Sequence, residues 1–292
     1  MNPIVIKLGG AVGVDAAAVL ADVAALAADG QAVVLVHGAS AAADALAQRA
    51  GVPVRHITSP SGHVSRYTDP DTLELYVAAA AGQVNKSLVA SLQKLGCNAV
   101  GLSGVDGRLL VARRKDAVRA IDAERRRQRI IRDDYTGQLA AANGDLLRLL
   151  LNAGFTPVIA PLALGLEGER LNVDGDRAAA LVAGALGASA LVLLSNVPGL
   201  LASFPDESSL IRRLPPEQLG RAEEMAQGRM KKKILAAREA LDAGVGAVII
   251  ADSRRRQPVR AALAGEGTVI ADFGLSISDL QPSLVLQEVA AQ

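Results

Sequence analysis

What most restricts the fold of this chain is its rhythm: short, continuous apolar runs separated by longer, alanine-rich amphipathic stretches. Residues 4–8 and 32–36 are too short for helices and read as strands buried on both faces. Each runs into a glycine turn and then a helical stretch, at 15–28 and 41–49. A long helical segment is expected over 71–95, then strands at 98–102 and 109–112. A helix at 145–152, a strand at 156–160, a helix at 176–186, a strand at 190–195, a helix at 230–242 and a strand at 246–251 complete the pattern. This alternation predicts an α/β fold, a mainly parallel central sheet covered by helices on both faces. Gly165 and Gly168 mark a boundary near 163–170 between two βα-rich halves, 1–165 and 166–271; residues 272–292 read as an extension without an assigned role.

Composition narrows the chemistry. With 292 residues, half of them hydrophobic, the chain can bury a full core, and no stretch approaches the roughly 20 apolar residues of a membrane span. The start, Met1 running straight into Ile4-Val5-Ile6, has no signal-peptide pattern, so a cytoplasmic setting is expected. The one cysteine, Cys97, forms no internal disulfide and is expected in the core. His37, His56 and His63 lack metal-ligand spacing, so no metal site is expected. No Trp, three Tyr and three Phe leave few platforms for stacking bases, so nucleic acid is not the expected partner despite the arginines described below.

Three strand ends carry residues suited to anions: Lys7-Leu8-Gly9-Gly10, His37-Gly38-Ala39-Ser40 and Ser195-Asn196-Val197-Pro198-Gly199. At the carboxyl edge of a parallel sheet, helix N-termini present unpaired N–H groups, and a residue without Cβ lets an anionic oxygen approach the backbone. No G-x-G-x-x-G follows the first strand, and Gly82-Gln83-Val84-Asn85-Lys86-Ser87 lacks the glycine that precedes lysine in a P-loop. A lysine closing an apolar strand needs an anionic partner, and Asp176, opening a helical run, could provide it. Helix capping by Asp174 or Asp176 is the alternative. Lys231, Lys232 and Lys233 open a further helix, where an exposed basic face is the plain reading.

Taken in order, these segments resemble the amino acid kinase family over residues 2–271. Lys7-Leu8-Gly9-Gly10 is similar to its Lys-x-Gly-Gly, His37-Gly38 to its second glycine turn, Asn172-Val173-Asp174-Gly175-Asp176 to its Asn-x-x-x-Asp, and Gly228-Arg229-Met230 with Lys233 to its Gly-x-Met-x-x-Lys. Within the family the likeness is greatest to acetylglutamate kinases and to their relatives that act on 2-aminoadipate or glutamate held on an acidic amino-group carrier protein. Residues 65–69, 98–107 and 131–137 resemble the carrier-dependent type.

The resemblance implies an αβα sandwich and transfer of the γ-phosphoryl group of ATP to a side-chain carboxylate, with Mg2+ held mainly by the nucleotide. No general base is needed, because a carboxylate of pKa near about 4.3 is already ionised at neutral pH. It further implies that Lys7, Lys233 and Asp176 are catalytic, that Gly9, Gly10 and Gly38 bind phosphate with Gly10 and Gly38 offering N–H groups, and that Ala39, Arg66 and Asn172 bind the substrate. Residues 1–165 would then hold the acyl acceptor and form a homodimer, and 166–271 would hold ATP. Ala39 departs from a pattern with a second glycine after the histidine, and Arg229 from one with glycine before methionine.

Between residues 113 and 132 lie nine basic residues against three acidic ones, although the whole chain is only +1. A free amino acid hardly needs such a concentration of charge; an acidic carrier does, and Arg113, Arg114, Lys115, Arg125, Arg126 and Arg127 are expected to contact it. A solvated hairpin is the bland alternative. Acetylglutamate kinase acting on free N-acetylglutamate in arginine synthesis, and a non-catalytic nucleotide or amino-acid sensor, remain as competing readings beside carrier-linked lysine synthesis.

Overall fold

The computed structural model describes residues 2–11, 13–59, 64–121 and 128–273. The strands are β1 (Ile4–Leu8), β2 (Val33–His37), β3 (His56–Thr58), β4 (Val64–Arg66), β5 (Ala99–Gly104), β6 (Leu110–Arg114), β7 (Val118–Ile121), β8 (Gln128–Ile131), β9 (Gly137–Ala142), β10 (Thr156–Gly165), β11 (Arg170–Asn172), β12 (Ala190–Ser195), β13 (Arg213–Leu214), β14 (Ala247–Asp252) and β15 (Thr268–Ile270). The helices are α1 (Ala16–Ala28), α2 (Ser40–Arg49), α3 (Pro70–Val77), α4 (Asn85–Lys94), α5 (Gly144–Asn152), α6 (Gly175–Leu186), α7 (Leu219–Met225), α8 (Arg229–Asp242) and α9 (Pro258–Leu263).

The main sheet has the order β13-β15-β14-β12-β1-β2-β10-β6-β9, with β5 and β11 also paired to β10. Its centre is parallel: β1 pairs β2 and β12, β10 pairs β2 and β5, and β12 pairs β14. Antiparallel pairing is confined to β6–β9, β10–β11 and β14–β15. Alternation along each strand divides the core in two. Val5, Val34, Val36, Leu191, Leu193 and Ile250 face α5, α6 and α8, whereas Ile6, Leu8, Leu35, Val192, Leu194 and Ile249 face α1, α4 and α9. The three-layer α/β expectation therefore holds, and Cys97 lies in the second of these clusters.

Two differences from the sequence reading bear on the site. The segment expected as one helix over 71–95 is α3 and α4 joined by a π-helical stretch, Ala78–Val84. The strand expected at 156–160 continues to Gly165 and turns back into β11, so residues 163–170 form a hairpin within the same sheet. A separate four-stranded sheet, β4-β3-β7-β8, was not anticipated, because its strands are short and pair across distant parts of the chain. Arg125, Arg126, Arg127, His63 and residues 274–292 lie outside the described residues.

Candidate active site

Strand periodicity sends Lys7 to the same face as Val5, toward α6 and α8, at the carboxyl end of β1. Asp174 caps α6, its carboxylate accepting from the Asp176 N–H at 3.0 Å and the Arg177 N–H at 3.2 Å. Capping by Asp174 leaves Asp176, one residue into the helix, free to turn toward the sheet. Lys7 Nζ lies 2.8 Å from Asp176 Oδ1, and Lys233 Nζ, from α8, lies 3.1 Å from Oδ1 and 3.3 Å from Oδ2. All three side chains are buried, Lys7 at 8%, Asp176 at 7% and Lys233 at 5% exposure.

This cluster carries two cations and one anion, so one positive charge is left over where water is scarce. Burial alone raises the Asp176 pKa, but the adjacent Lys233 and Lys7 ammonium groups reverse that and hold the carboxyl well below its ordinary range. Burial lowers the Lys233 pKa, Asp176 opposes the change, and the Lys7 charge adds to it. An anion arriving between the two lysines would relieve their repulsion, and the N-terminus of α6 beside Lys7 adds a favourable dipole. A Cβ built on Gly175, the first residue of α6, would stand 3.4 Å from Lys7 Cε.

The α6–α8 pair is clasped by further ionic contacts that the sequence reading did not contain. Lys232 Nζ is 3.2 Å from Asp174 Oδ2, so only part of the lysine run is free basic surface. Arg177 donates from Nε to both Glu239 oxygens, at 3.0 and 2.9 Å, and from Nη2 at 2.6 Å. Gly228, just before α8, has φ 52° and ψ −122°, a backbone state that a side chain would oppose.

The glycine turns lie against one another. A Cβ on Gly10 would come within 2.3 Å of Gly38 C and 2.4 Å of Ala39 N, and one on Gly38 within 2.5 Å of Gly10 N. These residues, with Gly9, line an open cleft of about 190 Å3. The expectation that Gly38 offers a free N–H to phosphate does not hold, because that N–H donates to Leu8 O at 2.8 Å, continuing the β1–β2 ladder. Gly38 serves the turn through its missing side chain.

Arg66 and Asn172 meet through Thr68. Asn172 Nδ2 donates to Thr68 Oγ1 at 3.0 Å, and that hydroxyl donates to Arg66 O at 3.2 Å. Arg66 Nη2 lies 2.6 Å from Asp44 Oδ1 and 3.3 Å from Ser40 O, beside Ala39. Buried Asp134 accepts from the Thr68 N–H at 2.9 Å and from the Thr136 hydroxyl, while the Tyr135 N–H donates to Thr68 O at 2.7 Å. The stretches 65–69 and 131–137, distant in sequence, are thus one structure. Thr68 and Asp134 were missed as individual residues because a lone threonine and one aspartate of an Asp-Asp pair carry no spacing signal that would join two stretches so far apart in sequence.

Arg113 and Lys115 are exposed, beside the antiparallel β7–β8 hairpin. Arg114 is spent internally: its guanidinium lies 3.7 Å from the Tyr135 ring centroid, and Nε and Nη2 donate to Asp134 O and Arg132 O at 3.0 and 3.1 Å. A guanidinium with these partners braces β6 against residues 132–135. His37 is fully buried, and burial, opposed by its bond to Gly38 O and assisted by the Lys7 charge, lowers its imidazole to about 4. Among the described residues no group of three or more His, Cys, Asp or Glu side chains could hold a metal ion, and no helix is long and apolar enough to cross a membrane.

Comparison with known proteins identifies the family and the fold. Residues 2–252 match the Amino acid kinase family. The [LysW]-aminoadipate kinase of Deinococcus radiodurans is 50% identical over 270 residues, covering 92% of each chain, and that of Thermus thermophilus is 51% identical over 269 residues, covering 91% of this chain and 99% of the relative. Among solved structures, smu.665 from Streptococcus mutans superposes with a TM-score of 0.72 at 25% identity, over 92% of this chain and 98% of that one. Carbamate kinase from Giardia lamblia bound to AMP-PNP shares the fold at a TM-score of 0.63 and 18% identity, over 92% and 98% of the two chains. With a matching family over most of its length and the buried lysine–aspartate–lysine cluster at the sheet edge, the chain belongs to the amino acid kinase family.

Proposed function

We propose that the protein transfers the γ-phosphoryl group of ATP to the side-chain carboxylate of 2-aminoadipate held through its amino group on an acidic LysW-type carrier protein, in lysine synthesis. The observation that carries the chemistry is the Lys7–Asp176–Lys233 cluster, a buried site with one uncompensated positive charge. The choice of acceptor rests on the two relatives at 50% and 51% identity, both named [LysW]-aminoadipate kinase.

The residues present fit a nucleotide's terminal phosphate: the cluster supplies charge, and the close backbone contact of Gly10 with Gly38, which a Cβ on either residue would force apart, keeps Gly9, Gly10 and Gly38 lining the cleft beside it. Mg2+, carried by the phosphates, would neutralise part of their charge. The acceptor carboxylate oxygen forms a bond to the γ-phosphorus while the bond to the oxygen bridging the β-phosphorus breaks; ADP leaves, and no proton need move. Lys7 and Lys233 stabilise charge on the phosphoryl oxygens, and Asp176 holds both ammonium groups in place. Arg66 and Asn172 orient the acceptor, with Ala39 beside it. On this reading residues 1–165 supply the acceptor side and 166–271 the nucleotide side, with Lys7 reaching across from the first half.

Exposed Arg113 and Lys115 face the carrier, and Arg125, Arg126 and Arg127, read from the sequence alone, are assigned to the same partner by their charge. A second acceptor, carrier-linked glutamate, is favoured by a relative from Cenarchaeum symbiosum, 42% identical and named Putative [LysW]-aminoadipate/[LysW]-glutamate kinase. The test is hydroxylamine trapping of the acyl phosphate with MgATP and three acceptors: carrier-linked aminoadipate, carrier-linked glutamate and free N-acetylglutamate. The proposal requires hydroxamate from carrier-linked aminoadipate in preference to the free compound; the reverse preference would transfer the protein to the acetylglutamate kinases.

A further inference from the structure

The buried pair His37 and Asn85 has no part in the chemistry above, yet it abuts the turn that faces the acceptor. His37 lies on the α4 side of the sheet, opposite to Lys7. Its Nδ1 is 3.2 Å from Gly38 O, and its Nε2 is 3.2 Å from Asn85 Nδ2. Asn85 Nδ2 also lies 2.9 Å from Val158 O and, at the longest of its three contacts, 3.4 Å from Leu102 O, carbonyl acceptors that fix which end of the amide points this way. With an N–H donor facing Nε2, the proton belongs on Nδ1, where it donates to Gly38 O; the opposite tautomer would set donor against donor. The low pKa of the buried ring keeps it neutral.

The preceding π-helical stretch explains how Asn85 reaches this place. Buried positions run Tyr76 and Ala80 at α-helical spacing, then step by five residues to Asn85 before Leu88 and Leu92. A regular α-helix would place Val84 there. Asn85 Oδ1 has no hydrogen-bond partner among the described residues and packs on Gly101, where a Cβ would stand 2.1 Å from it. A buried unpaired carbonyl is unfavourable, so the contact to His37 and Val158 is maintained against a penalty.

We propose that His37 and Asn85 are positioning residues for the acyl acceptor, fixing the Gly38–Ala39 peptide so that the Ala39 N–H points into the acceptor site. In a trans peptide the C=O and N–H point in opposite directions, so anchoring Gly38 O on His37 directs the Ala39 N–H the other way. That N–H has no acceptor among the described residues, and Arg66 donates to the carbonyl of the following residue, Ser40 O. The inference rests on the kinase reading above and adds to it a donor for the acceptor carboxylate, together with the side chains that aim it.

The test compares His37→Leu, Asn85→Leu and His37→Asn, because the asparagine amide N–H can stand where the imidazole Nδ1–H stood. Both leucine variants are expected to lose at least about tenfold in kcat/KM for carrier-linked aminoadipate while KM for MgATP stays within about twofold. His37→Asn is expected to recover most of that loss. Equal impairment of both substrates, or of His37→Asn and His37→Leu, overturns the proposal. If the leucine variants do not fold, 15N imidazole shifts of the wild-type protein decide: a neutral Nδ1–H ring at pH 7 supports it, and an Nε2–H or charged ring overturns it. A wild-type protein that forms no acyl phosphate would remove the kinase reading itself, a result separate from the tautomer measurement.

Discussion

At the scale of single residues, the site depends on two aspartates two positions apart doing different work. Both were plausible helix caps in the sequence; placement of the helix start assigns capping to Asp174 and ion pairing to Asp176. Lys7 was legible because a lysine at the end of an apolar strand demands a partner, but the same reasoning could not say which lysine of 231–233 is buried. Asp176 has a folded-state pKa below its ordinary value, so the unfolded chain takes up the proton first as pH falls. Its stabilisation is fully present above about pH 4 and is lost as pH falls through the folded value. Urea midpoints measured across this range should fall more steeply for the wild type than for Asp176→Asn. At neutral pH, Asp176→Ala should destabilise the protein by about 3 kcal/mol in urea unfolding, because two buried ammonium groups lose their common partner.

At the scale of elements, strands of the parallel centre were readable because each is a continuous apolar run, whereas β9, β11, β13 and the small sheet are short or mixed in polarity and owe their pairing to tertiary contacts. The π-helical stretch was invisible because Ala78 to Ala81 carry no periodic contrast. The clasp between α6 and α8 was equally hidden, since nothing in sequence links Arg177 to Glu239. That pair is about one-third exposed on each side, so Arg177→Ala is expected to lower stability by no more than about 1 kcal/mol. Removing a cap should weigh at least as much: Asp22 of α1 accepts from the Val259 and Arg260 N–H groups at 2.8 and 3.1 Å, and Asp22→Ala should destabilise by about 1–2 kcal/mol in the same assay. Gly10→Ala forces backbone apart at the turn and should abolish turnover while leaving the helical circular dichroism signal.

At the scale of the whole molecule, charge is distributed so that a nearly neutral chain has one segment of concentrated basic residues and, separately in sequence, a buried cationic site. Counting arginines located that segment, but could not show that Arg114 is bound to Tyr135 and to backbone carbonyls while Arg113 and Lys115 face solvent. Replacing Arg125, Arg126 and Arg127 by Ser should raise KM for the carrier-linked acceptor and flatten its dependence on salt, with KM for MgATP unchanged. Convergence of β1 with α8, from opposite ends of the chain, is the central claim, because it alone brings Lys7 and Lys233 to one carboxylate. It is tested most directly by the single-turnover rate of acyl phosphate formation at saturating MgATP and carrier-linked aminoadipate, in wild type, Lys7→Ala and Lys233→Ala. Each variant should fold and react at least about a hundredfold more slowly than wild type; a wild-type rate in either would contradict the account.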